Sequence, residues 1–191
     1  MYPTPAERLA ALIAAESARE PIDTLAFWGH RPNRDGSVGP GCLSQWWPCS
    51  FTVDGQRYPT AEHWMMAGKA RLFGDDTALA AILAAPSPGA AKALGRQVRG
   101  FDEDRWAEAG YGIVVQGNLA KFSQNDELRD FLLRTGRRVL VEASPYDRVW
   151  GVGLGRNHPD VSVPSRWRGR NLLGFALMEV RERLAQGEEV R

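Results

Sequence analysis

Residues 50–64, SFTVDGQRYPTAEHW, join two kinds of backbone with almost no linker between them. Asp54-Gly55 stands between the β-type runs SFTV and QRY, and that dipeptide suits a two-residue hairpin turn. Pro59 has no N–H with which to extend the second run, and Thr60 is a good N-cap for a helix starting at Ala61. From there helix-type sequence dominates: Ala61 to about Leu72, DDTALAAILAA, PGAAKALGRQ, DEDRWAEAG, IVVQGNLAKFSQ and DELRDFLLRTG, the last closing on Gly136 as a C-cap. RVLVEAS then reads as a strand, PYDRVWGVGLGRNHPD as an irregular loop, and a closing helix runs from about Asn171 to Leu184. Ahead of the hairpin, PAERLAALIAAESARE is an amphipathic helix, DTLAFWG a short strand and HRPNRDGSVGPG a polar loop.

Few strands among many helices predict an α+β fold: a single compact, mainly helical domain with a small β-sheet. A chain of 191 residues suffices for one such domain with its own core. We place the domain at 23–186 and an N-terminal helical extension at 1–22. The extension is packed on the domain or partly free, and its deletion is expected to be tolerated.

The helix after Thr60 carries charge in an unexpected place. At roughly 100° per residue, Glu62, Met66, Lys69 and Phe73 share a narrow arc, widened by Ala61, Met65 and Leu72, while His63, Ala67, Ala70 and Arg71 lie opposite. An apolar arc faces the core, and unpaired charge is costly to bury there. A semi-buried ion pair accounts for Glu62 and Lys69; so does an active-site wall, where perturbed carboxylates and amines collect.

The rest of the chain narrows the chemistry. A net charge of +1 gives no general pull towards nucleic acid or acidic lipid; Arg96, Arg99 and the SRWRGRN run would have to form a local patch. No apolar stretch nears the ~20 residues that span a bilayer, and no basic-then-apolar leader opens the chain, so no membrane association and a cytoplasmic location are expected. Cys42 and Cys49 match no zinc pattern, and His30, His63 and His158 are too scattered for a metal site or a nucleophile triad. GVGLG lacks the third glycine and the adjoining helix of a dinucleotide loop. No metal and no cofactor are therefore expected. What remains is carboxylates beside aromatics: Glu62, Glu142 at the end of RVLVEAS, and Asp147 in the glycine-containing loop beyond it. Glu142 is read equally as a salt-bridge partner. Seven tryptophans suit a core and also a pocket that stacks a planar heterocycle.

Five ordered blocks, PTAEHWMMAGKARLF, AKALGRQV, NLAKFSQN, LLRTGRRVLVEASPYDRVWGVGL and GRNLLGFALMEVR, resemble those of the NADAR family, the YbiA-like N-glycosidases. They extend from about Leu25 to Leu184. The family's early SNF block departs here to LSQWWP, with Gln45 and Trp46 in place of Asn and Phe. The resemblance implies an α+β fold and hydrolysis of a C1–N bond between a 5′-phosphorylated ribose and a base-like group. Two substrate classes go with it: phosphoribosylamino-pyrimidine intermediates of riboflavin biosynthesis, and ADP-ribose carried on guanine of DNA or RNA.

Such a cleavage passes through an oxocarbenium-like state that needs negative charge near C1, activated water and a proton for the leaving nitrogen. On this resemblance Glu62 is the expected principal acid/base and Asp147 the group that stabilises the cation or orients water. Lys69 tunes Glu62, binds phosphate, or attacks a ring-opened C1 as a Schiff-base amine. Arg96 is the candidate phosphate clamp, Trp106 and Trp150 the stacking candidates, and Trp28, Ser44 and Glu142 further pocket residues. Lys121 is expected only to close a helix. The competing reading is a non-catalytic ADP-ribose or nucleotide-binding module; the sequence carries no signal of oligomeric state.

Overall fold

The computed structural model describes residues 2–190. Within them the regular elements are α1 Pro5–Ser17, β1 Thr24–Phe27, β2 Phe51–Val53, β3 Gln56–Tyr58, α2 Ala61–Leu72, α3 Asp76–Leu83, α4 Pro88–Gly95, α5 Glu103–Ser123, α6 Asp126–Arg134, β4 Val139–Glu142 and α7 Leu172–Ala185. This is the mainly helical α+β domain expected, except that the strands form two pairs. β2 and β3 are the predicted hairpin, with Phe51 opposite Tyr58. Asp54 and Gly55 take φ of 49° and 76°, the two positive values a two-residue primed turn requires.

β1 pairs in parallel with β4, Phe27 lying opposite Glu142. Parallel strands start and finish together, so Trp28 and the segment after Glu142 emerge at the same end. The open side of β4 is closed by a side chain. Asn171, in the left-handed region at φ 52°, accepts from the Glu142 amide at 3.0 Å and donates to the Leu140 carbonyl at 2.9 Å. One turn later, a β-carbon on Gly174 would lie 2.1 Å from the Leu140 carbonyl oxygen. Only glycine lets α7 press this closely on β4.

α2 is the central helix, packed by α3, α4 and α5. Of the expected outward side, Arg71 is exposed, but His63, Ala67 and Ala70 are buried as thoroughly as the apolar arc. α3 and α4 cover the face that periodicity gives to solvent, and the two alanines let them approach. His63 is satisfied inside: Nδ1 lies 2.8 Å from the Thr60 hydroxyl and Nε2 3.1 Å from the Ala85 carbonyl.

Two helices are expected across 102–124, and one is found. Gly110 and Gly112 do not break α5. Trp106 folds back over Gly110, and a β-carbon on Gly117 would meet Trp64 at 2.1 Å. Trp64 in turn donates its indole N–H to the Ile113 carbonyl at 2.7 Å, locking α2 to α5. Gly110 and Gly117 thus mark contacts, while Gly112 faces open space.

α1 is packed, not free. Buried Arg8 makes a two-pronged pair with Glu182 of α7 at 2.9 and 2.6 Å, Leu12 joins the smaller core cluster, and Glu16 accepts from Ser165. Lys121 does more than close α5: fully buried, its amine donates to the carbonyls of Cys42 at 2.6 Å and Ser44 at 2.9 Å. Burial depresses its pKa and raises the Cys42 thiol to about 12, and it raises Cys49 as well, so neither cysteine is a nucleophile at neutral pH. Among the described residues no helix is long and apolar enough to cross a membrane.

Candidate active site

Glu62 sits in the first turn of α2, 4% exposed, its amide donating to the Gln45 carbonyl at 3.0 Å. Three other parts of the chain act on its carboxyl, and Glu142 meets two of the same groups, Lys92 and Asp147. α4 starts at the Ser87 cap and lies tight on α2 because Gly95 faces Met66, where a β-carbon would sit 2.1 Å from the sulfur. That contact aims Lys92 and Arg96, one turn apart on α4, at Glu62. From the end of β4 come Glu142 and, through the loop beyond it, Asp147. Gly151 threads between their backbones, with room for no side chain: a β-carbon there would be 2.9 Å from the Glu142 carbonyl and 3.0 Å from that of Asp147. The turn held by Lys121 supplies Trp46, whose ring lies 5.9 Å from the Lys92 amine and 5.7 Å from the His30 ring.

This crowding sets the electrostatics. Burial pushes the Glu62 carboxyl up to about 7, with Asp147 pushing the same way and Lys92, Trp46 and Arg96 opposing. Burial, and then Asp147, pushes Glu142 up to about 8, against the pull of Lys92. Glu142 Oε2 is buried without a hydrogen-bond partner. Asp147 holds the loop: its Oδ1 accepts from the amides of Val149 at 2.9 Å and Trp150 at 2.8 Å. Glu62 and Glu142 thus share Lys92 and the neighbouring Asp147, and both are poised to exchange protons near neutral pH.

Lys69 belongs to a neighbouring group. Two turns along α2 from Glu62, its amine lies 4.0 Å from the centre of the Phe101 ring and 5.9 Å from that of Trp106. The ion pair considered for Glu62 and Lys69 is not formed; among the described residues Lys69 has no carboxylate within 4.0 Å, and burial alone lowers its pKa. Trp106 stands with Lys69. Trp150 is half-buried and packs on the main core. The Ser44 hydroxyl accepts from the Trp46 amide at 3.1 Å, so Ser44 shapes the turn that presents Trp46. Trp28 is 55% exposed at the strand end.

Sequence reasoning passes over Lys92, Trp46 and His30. Lys92 has a signal, since it precedes Arg96 by one helical turn in the same block. Trp46 has only its place in the tryptophan pair before Pro48. His30 has none.

Comparison with known proteins agrees with this architecture. Residues 26–185 match the NADAR domain. An N-glycosidase of Acanthamoeba polyphaga mimivirus is 41% identical over 166 residues, covering 84% of this chain and 96% of the relative. N-glycosidase YbiA of Escherichia coli is 34% identical over 139 residues, covering 73% and 77%. The NMR structure of the E. coli protein YbiA superposes with a TM-score of 0.69 at 30% identity, covering 87% of this chain and 88% of that one. A NADAR domain with these relatives defines an N-glycosidase, a hydrolase of N-glycosyl bonds. The chain belongs to the NADAR family.

Proposed function

We propose that the chain hydrolyses the C1–N bond between a 5′-phosphorylated ribose and a base-like group, with the Glu62–Glu142–Asp147 cluster as its catalytic centre. The observation that carries the reading is that Glu62 and Glu142 share both Lys92 and Asp147 as neighbours, with Glu62 brought to about 7. A group of that pKa gives and takes a proton at neutral pH with little penalty either way, which suits both protonation of the leaving nitrogen and activation of water. Asp147, anchored through one oxygen, offers the other to positive charge growing at C1. Protonated Glu142 is a donor looking for an acceptor, and its unpartnered Oε2 suits a ribose hydroxyl. Lys92 and Arg96 supply cations for phosphate. A reader module would need stacking and phosphate contacts but has no use for a carboxyl tuned to neutrality.

The two substrate classes, free phosphoribosylamino-pyrimidines and ADP-ribose on guanine of nucleic acid, share the ribose, the phosphate and the planar base. Glu62→Gln keeps shape and removes the proton exchange. It is expected to lower kcat by about 10²- to 10⁴-fold on whichever of the two substrates the parent cleaves, the sugar product being identified by mass spectrometry. A folded Gln variant releasing ribose 5-phosphate or ADP-ribose at the parent rate would show that Glu62 is not the acid/base.

A further inference from the structure

The segment from Cys42 to Trp46 is tied down on both sides, and the ties lead to Glu62. On the α5 side, the Lys121 amine donates to the carbonyls of Cys42 at 2.6 Å and Ser44 at 2.9 Å. One turn earlier, the Asn118 amide group donates to Gln45 Oε1 at 2.8 Å and to the Val114 carbonyl at 2.9 Å. On the α2 side, the Gln45 carbonyl accepts from the Glu62 amide at 3.0 Å, and Gln45 Nε2 reaches the Met65 sulfur at 3.9 Å. The Ser44 hydroxyl takes the Trp46 amide. The indole that leaves this strap lies along α4, where a β-carbon on Gly89 would be 3.5 Å from its Cη2. There it acts on the Glu62 carboxyl as a hydrogen-bond donor.

We infer that Trp46 is the positioning residue for Glu62, its indole N–H steadying the ionised carboxylate, and that the buried Lys121 and Asn118 act on Glu62 through it. The inference rests on the glycosidase reading and adds the groups that aim its acid/base. Two costs in the core argue for it. Lys121 and Asn118 are both 0% exposed, and among the described residues Lys121 has no carboxylate within 4.0 Å. Asn118 Oδ1 is buried without a partner. An apolar side chain would fill either place without the desolvation penalty. Both penalties fall on side chains that bond the same segment, the one that carries the indole. An indole offers one donor and no acceptor, so it favours the ionised carboxyl over the protonated one. Lys92 and Arg96 of α4 favour the same form and Asp147 opposes it. These three, and Glu142 beside them, stay in place when the indole is changed.

The test is a carbon-detected NMR titration of the full chain labelled at its glutamate carboxyls, the Glu62 signal being assigned by its loss in Glu62→Gln. Trp46→Phe keeps a flat ring against Gly89 and removes the N–H. It is expected to move the Glu62 midpoint up by about one pH unit. The limb of the kcat/KM profile that follows Glu62 should move with it, at a KM within about threefold of the parent. Lys121→Met is expected to move the midpoint the same way, and to add nothing further in the Trp46→Phe background. Should Lys121→Met not fold, Asn118→Ala, which frees Gln45 and leaves the lysine in place, carries the same expectation. An unmoved midpoint in Trp46→Phe, a change in KM alone, or additive shifts in the double variant would each overturn the inference. Hydrolysis by the parent with a Glu62 titration indifferent to Trp46 removes the positioning role; a titration that follows Trp46 in a chain that cleaves neither substrate keeps it and removes the glycosidase reading.

Discussion

Glu142 is a carboxyl that the fold would be more stable without. The folded chain keeps protons on Glu142 and Glu62 up to about pH 8 and 7, whereas the unfolded chain gives them up near 4.5. Stability therefore falls as pH rises through that window and is unaffected by these groups below it. Glu142→Gln, which cannot ionise, is expected to stabilise the protein at pH 8 by about 2 kcal/mol and to change little at pH 5. Thermal melts at the two pH values check this, and equal shifts at both would contradict it. Lys69 makes a second prediction at the same scale. Its amine has a depressed pKa and aromatic rings on two sides, but no carboxylate partner among the described residues, so its unprotonated form is accessible to an opened sugar. Borohydride added during turnover should trap a ribosyl adduct at Lys69, located by peptide mass spectrometry; an enzyme that stays fully active and unlabelled confines Lys69 to binding. The odd positions of Glu62 and Lys69 are legible in the sequence as charge on an apolar arc. Lys92 is marked in the sequence only by standing one turn before Arg96; its meaning arises when Gly95 lets α4 settle on Met66.

At the scale of elements, β4 delivers Glu142 because Asn171 stands in for a missing strand. Asn171→Ala removes both bonds and leaves the Leu140 carbonyl and the Glu142 amide buried and unpaired, at about 1–3 kcal/mol each. Gly174→Ala drives a methyl into the same carbonyl. Each change is expected to lower stability by at least about 2 kcal/mol in denaturant melts and to reduce kcat, since the backbone of Glu142 shifts with the contact. A variant that loses that stability yet keeps full activity would uncouple the asparagine from the site. Local signals find the pieces of this arrangement: the hairpin declares itself through Asp54-Gly55, α2 through Thr60, and α7 through its apolar run. They cannot reveal that Thr24 pairs with Val139, since a parallel partner so distant in sequence leaves no local mark. Nor can they show α5 as one helix, because glycine in a sequence reads first as a stop, while Gly117 serves the crossing with Trp64.

Over the whole molecule the site and the N-terminal helix lie on different sides of α7 and β4. α1 touches α7 and the turn at Pro164–Arg166 and has no part in the Glu62 cluster. Its removal would strip Glu182 of the two-pronged Arg8 partner, uncover the smaller core cluster where Leu12 packs, and release Ser165 from Glu16. That loss is of packing and of one well-made ion pair, on the order of 2–4 kcal/mol, or about 5–15 °C in melting temperature for a chain of this size. A chain beginning at residue 23 is therefore expected to fold with a lower melting temperature and to cleave a free substrate within about threefold of the parent rate. If the shortened chain does not fold, the boundary between extension and domain at 22–23 is wrong, and α1 is part of the core unit.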